Sequence, residues 1–161
     1  MDIFAHAGTA IAFLGATLAV GMACAGSGKG VGLVGEAAAG VLSEDPGKFS
    51  QCLILQIIPG TQGLSGLVIW FFAMMKMGFF AGGIQLMSIE AGCAFFAACM
   101  PMAIGGLITA IAQGRTAAAG VSLIAKRPED MSKALIMAIM VEFYAILCLL
   151  ASFLMLNSMG V

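Results

Sequence analysis

Four uninterrupted apolar stretches govern what this chain can become. They run from about Ala7 to Leu42, Phe49 to Met75, Glu90 to Ala125 and Ala134 to Leu156. A bilayer core about 30 Å thick needs about 20 apolar residues in helical form, so each stretch can cross one. The first and third exceed that need and are expected to tilt or project beyond it. Apolar residues follow one another without alternating, which argues against a membrane barrel. The predicted fold class is an all-α membrane protein with four transmembrane helices. Composition agrees: 61% of the 161 residues are hydrophobic and 9% are charged. A soluble domain of this length has too little interior to hide that much apolar surface. Soluble enzymes, disulfide scaffolds and disordered tails are thereby excluded.

The few charges are placed unevenly. They gather in two connections, Ser43–Lys48 and Lys126–Asp130. With the adjoining helix ends, Lys29, Lys48, Arg115, Lys126, Arg127 and Lys133 share one side, and only Lys76 lies on the other. The positive-inside rule makes the crowded side cytoplasmic. Both termini and the Lys76–Ile89 loop then face outward. The first apolar run follows Asp2 with no basic lead and is long enough to stay in the membrane, unlike a cleaved leader. A net charge of −1 gives no reason to expect a nucleic-acid partner. Cys24, Cys52, Cys93, Cys99 and Cys148 lie singly in apolar runs and read as small apolar side chains.

The halves resemble each other. Residues 1–80 form one predicted helical hairpin and residues 81–161 a second, both in the same membrane orientation. Pro46 and Pro128 open the even helices. At their offset of 82, Cys52-Leu-Ile-Leu pairs with Ala134-Leu-Ile-Met. Gly26-Ser-Gly-Lys29 resembles Ala112-Gln-Gly-Arg115, which implies about one extra helical turn in the first copy. Such a parallel duplication differs from the inverted repeats of many carriers. Gly60 stands opposite Glu142, so one copy has a mid-membrane carboxylate and the other has none.

Glu142 is the residue that demands a function. It interrupts an otherwise uncharged span, where a carboxylate costs several kcal/mol unless a proton or a cation neutralises it. Counting from the cytoplasmic turns puts Thr61, Gln62 and Gln113 at its depth. Ile58, Thr61, Gln62 and Ser65 share one helix face. Two amide oxygens, a hydroxyl and a carboxylate make a hard-donor cage suited to Na⁺. Interhelical hydrogen bonding is the structural alternative for any one of these residues. Pro59 lacks an N–H, so helical geometry nominates Leu55 as the freed carbonyl and leaves Ile58 open.

The run Gly26–Gly32 lacks phosphate-loop spacing and follows no strand, so no directly bound nucleotide is expected. Gly26/Gly30 and Gly28/Gly32 read instead as close-packing pairs of the odd helices, in a crowded inner layer such as a ring has.

The segments GSGKGVGLVGEAAAG, LILQIIPGTQG, IAQGRTAAAG and AKRPEDMSKALIMAIMVEFYAIL span both hairpins. With them the chain resembles the four-helix proteolipid, the K or c subunit, of V-type ATPases, most closely the bacterial sodium-type members. The resemblance implies a homo-oligomeric rotor ring in the bacterial plasma membrane. It implies a static membrane subunit supplying an Arg, central-stalk subunits on the cytoplasmic side, and no catalytic site in this chain. The implied Na⁺ site comprises the carbonyl of Ile58 with Thr61, Gln62, Gln113 and Glu142. The family thereby supports Ile58 where geometry favoured Leu55. A family Tyr one turn beyond the second-helix Gln is here Ser65, which with Pro59 becomes an outer contributor. Tyr144 lies on another face from Glu142 and is not expected to replace it. Two alternatives stay open: H⁺ on Glu142 in a proton-translocating relative, and an independent small transporter gated by Glu142.

Overall fold

Hydrocarbon offers the backbone no hydrogen-bond partner, so each span must satisfy its own amides as helix. The computed structural model describes residues 3–160, with side chains from His6 onward, and Asp2 with its predicted uncleaved start lies outside them. Every regular element among the described residues is helical. The first span is α1 (Ile3–Glu44). The second is broken into α2 (Phe49–Ile57), one 3-10 turn (Ile58–Gly60) and α3 (Thr61–Lys76). The third is α4 (Ile89–Lys126) and the fourth α5 (Met131–Ser158). All four are long and apolar enough to cross a membrane.

The connections are built from local chemistry. Short 3-10 turns at Pro46–Lys48 and Pro128–Asp130 open the even spans. Proline is tolerated there because its missing N–H would have no helical partner anyway. Lys48 Nζ donates to Ala125 O at 2.6 Å, and Gln51 Nε2 to Pro128 O at 3.2 Å. The two hairpin turns are thus tied together. At the other end, Gly78 and Gly82 adopt φ of 74° and 79°, which lets the chain reverse before Ser88 caps α4.

The predicted close packing of odd helices is observed for one glycine pair and not the other. Gly26 and Gly30 face α4, and a methyl on Gly114 would strike the Gly30 backbone. Gly28 and Gly32 point to open space on the opposite side of α1. Lipid provides no hydrophobic drive between helices, so close backbone contact supplies the attraction. α3 packs mainly on α1, and α5 mainly on α4.

The packing also corrects the register of the repeat. Gly66 lies against Ala23, and Gly105 against Cys148. Both members of the second pair stand 82 residues after their counterparts, in odd and even helices alike. No extra turn separates the copies, and the similarity of GSGK to AQGR is one turn out of step with the packing. In this register Val31, not Ser27, is the counterpart of Gln113.

Just past each in-span proline, a neighbouring helix supplies an acceptor. Gly63 N–H donates to Ser27 Oγ at 2.8 Å, beyond Pro59. Met102 N–H donates to Ser152 Oγ at 3.0 Å, beyond Pro101. Both serines are buried, so amides near the bends stay satisfied without water.

Candidate functional site

Two apolar clusters fill the bundle, one around Ile69, Phe95 and Leu156, the other around Leu55, Val121 and Ala138. Between them lies a polar layer. Gln62 and Gln113 are both fully buried there, and Glu142 is half-buried beside them.

Three elements bring these side chains together. The 3-10 turn at Ile58–Gly60 re-aims the second span, so that Thr61 and Gln62 begin α3 facing α5. Thr61 Oγ1 donates to Glu142 Oε2 at 2.7 Å. Gln62 Nε2 reaches the same oxygen at 3.0 Å, and Gln113 Nε2 reaches it at 2.8 Å. The amides are joined as well: Gln62 Nε2 lies 2.6 Å from Gln113 Oε1. Gln113 Nε2 also meets Ala138 O at 3.1 Å, which holds it against α5. Hydrogen bonds to an ionised carboxylate are the stronger kind, so three convergent donors localise its charge on one oxygen.

Each donor side chain also carries an oxygen. The Thr61 hydroxyl keeps its lone pairs while donating, and either glutamine exchanges Nε2 for Oε1 by turning its terminal amide. The layer can therefore serve a carboxylate as donors or a cation as acceptors. The oxygens gathered here are hard donors with one carboxylate among them, the donor class that suits alkali cations rather than softer metals.

The predicted layer of Thr61, Gln62, Gln113 and Glu142 is brought into mutual contact. Ile58 O lies at its edge, accepting from the Thr61 backbone N–H and standing 3.0 Å from the Thr61 hydroxyl oxygen, whose one hydrogen goes to Glu142. Pro59, in the 3-10 turn just before Thr61, is buried. Ser65 turns away, its hydroxyl donating to Thr61 O at 3.1 Å. Lys29, Glu36 and Arg115 form no ion pair with one another among the described residues.

Four membrane-crossing helices in two like-oriented hairpins, with a single carboxylate held among amides at mid-bundle, define a duplicated membrane proteolipid. Residues 14–73 and again 96–155 match the family of ATP synthase C subunits, and both matches are displaced by the same 82 residues. The V-type sodium ATPase subunit K of Enterococcus hirae is 49% identical over 130 residues, covering 81% of this chain and 80% of that one. The A-type ATP synthase subunit K of Methanocaldococcus jannaschii is 36% identical over 143 residues, covering 89% of this chain and 60% of that one. The chain belongs to the family of ATP synthase C subunits as a V-type ATPase proteolipid, an integral membrane component of an ion-translocating rotor ring.

Proposed function

We propose that this protomer carries Na⁺ across the membrane on Glu142, one ion per chain, as the ring turns. Thr61, Gln62, Gln113 and the Ile58 carbonyl complete the coordination. The observation that carries this reading is the convergence of Thr61, Gln62 and Gln113 on Glu142 Oε2, which sets one negative charge amid three neutral oxygen-bearing groups. The E. hirae relative, a sodium ATPase subunit by name, supports the choice of ion. The hairpins 1–80 and 81–161 are the two units of the duplication, and only the second supplies a carboxylate.

The mechanism follows from charge. With a cation bound, Glu142 is neutralised and can face lipid as the ring rotates. At the stator, a fixed Arg of the static membrane partner favours the bare carboxylate and releases the ion. Moving one charge against 100 mV costs about 2.3 kcal/mol, and ATP hydrolysis in the soluble head supplies it through a central stalk. The cytoplasmic side is that of Lys48, Lys126 and Arg127, in a bacterial plasma membrane.

Dicyclohexylcarbodiimide modifies a protonated buried carboxyl and tests the reading directly. Labelling of Glu142 in the purified ring should slow with millimolar Na⁺ and not with K⁺. Labelling indifferent to Na⁺ would mean that H⁺ is the cargo.

Ser65→Tyr should lengthen ion retention. The serine hydroxyl is spent on Thr61 O, whereas a phenol at that position extends toward Glu142. A charge-assisted hydrogen bond there is worth about 1.5–3 kcal/mol, or roughly tenfold or more in the release rate. Release of radiolabelled sodium from the purified ring reads this out. Unchanged or faster release would reject Ser65 as the point where ion retention is weak.

A further inference from the structure

Lys76 is the one lysine or arginine at the bundle end opposite the two hairpin turns, and the Glu142 layer does not use it. Its ammonium donates to Met159 O at 2.8 Å and stands 3.5 Å from Asn157 O. Those carbonyls end α5, where helical partners run out and the negative end of the helix dipole lies. A lysine placed there meets both needs. Thr61 begins α3 and Lys76 closes it. The lysine therefore joins the far end of the helix that starts at Thr61 to the far end of the helix that carries Glu142.

We propose that Lys76 is a positioning residue: it holds α3 in axial register with α5 and so keeps Thr61 and Gln62 on Glu142. This rests on the reading of the Glu142 layer as the ion site. The spacing carries the inference. Thr61 meets Glu142 at a sequence separation of 81, and Lys76 meets Asn157 at the same separation. Phe72 and Phe153 repeat it between them, with ring centroids 4.7 Å apart. The two helices run in the same direction, so contacts of one separation are rungs of a ladder. The carboxylate layer is its lowest rung, the aromatic pair lies above, and the lysine tie is at the top.

The other anchors of the second span do not fix the height of α3 against α5. The 3-10 turn at Ile58–Gly60 separates α3 from α2, so the tie from Lys48 to Ala125 holds the foot of the span and not its upper half. The bond from Gly63 N–H to Ser27 holds α3 to α1, within its own hairpin. Toward α5 the surfaces part. An apolar groove of about 260 Å³, lined by Val68, Ile146, Leu149, Leu150 and Phe153, lies between the site and the top of the ladder. The Phe72–Phe153 pair can slide ring over ring. The bond from Lys76 to Met159 O is directional and resists sliding.

The site is sensitive to that height. Thr61 and Gln62 reach Glu142 Oε2 at 2.7 and 3.0 Å. One residue of helical rise is about 1.5 Å, and N–H···O bonds weaken beyond about 3.2 Å. A slide of one rise takes the Gln62 contact past that length. Gln113 is held from the second hairpin, through Ala138 O, and stays with the carboxylate. Loss of the lysine tie therefore loosens two of the three contacts and leaves the charge of Glu142 in place. Such a change weakens ion binding without disabling a filled site.

The test follows sodium-dependent ATP hydrolysis by the whole ATPase across sodium concentration. Lys76→Met keeps the apolar stem and deletes the donor. It should raise the sodium concentration for half-saturation on the order of threefold to tenfold, with the rate at saturating sodium unchanged. Lys76→Arg keeps donors at similar reach and should match wild type. Lys76→Gln, one bond shorter and uncharged, should behave as Lys76→Met does, and replaces it if that variant is not recovered in the oligomer. In a Gln62→Ala background, Lys76→Met should raise half-saturation by less than it does alone. The sign separates register from charge, because deleting a nearby cation by itself favours Na⁺ and lowers half-saturation. A lowered or unchanged value in Lys76→Met and Lys76→Gln, or the full increase on top of Gln62→Ala, would overturn the proposal. An increase in Gln62→Ala alone would then leave the ion site standing. An unchanged value in Gln62→Ala would remove the ion site and the proposal together.

Discussion

Glu142→Gln should abolish ion transport while leaving the protomers assembled. The substitution keeps the size of the side chain and its ability to meet Thr61, Gln62 and Gln113, which all converge on Glu142 Oε2. It removes only the charge. Two unit charges 4 Å apart interact by about 4 kcal/mol at an effective dielectric of 20, which is roughly a thousandfold in cation affinity. No other carboxylate among the described residues lies in the layer to take over. Sodium uptake by vesicles carrying the reconstituted ATPase should fall to background. Chain recovered in the large oligomer should match wild type. Normal pumping by this variant would sink the mechanism.

The layer behind that result is legible in the sequence because it depends on depth. In a hairpin, residues equally distant from the turn lie at one level. Pro46 and Pro128 mark the turns, and counting from them places Thr61, Gln62, Gln113 and Glu142 together. Span limits are legible for a similar reason: hydrocarbon thickness sets helix length, and observed helix ends differ from the apolar runs by a few residues at most.

Direction around a helix axis and register between helices are a different matter. Gly26/Gly30 and Gly28/Gly32 have the same spacing and composition, yet one pair meets α4 and the other faces away. Spacing gives a face without saying what covers it. The likeness of GSGK to AQGR suggests an inserted turn, but backbone contact, not local similarity, sets the register. Pro59 foreshadows the 3-10 turn at Ile58–Gly60 only as a bend. The serines that accept Gly63 and Met102 N–H groups leave no sequence signal, since Ser27 and Ser152 resemble any other small residues in their spans. The cross-tie from Lys48 to Ala125 is equally silent, because Lys48 reads as an ordinary solvated turn lysine.

Gln113→Ala and Gln62→Ala should each raise the sodium concentration needed for half-saturation, and their combination should raise it by less than the product. Each truncation deletes one hydrogen bond to the carboxylate layer and one oxygen available to a cation. A hydrogen bond to a charged group is worth about 1.5–3 kcal/mol, or roughly tenfold to a hundredfold in half-saturation. The two effects are not independent, because Gln62 Nε2 is also held by Gln113 Oε1 at 2.6 Å. Removing either side chain frees the other from its fixed orientation, so part of the loss is shared. Residues in one hydrogen-bonded network couple by about 0.5–3 kcal/mol in a double-mutant cycle. Gln113 is also anchored to Ala138 O and fully buried, so its loss opens a cavity that Gln62 cannot fill from the other hairpin. Gln113→Ala is therefore expected to be the more damaging of the two. Sodium-dependent ATP hydrolysis by the whole complex, measured across sodium concentration for both single variants and the double, gives all three quantities. Unchanged half-saturation in either single variant would mean that the coordination shell is misassigned. Strict additivity would mean that the amide pair does not act as a unit, and that each glutamine contacts the cargo on its own.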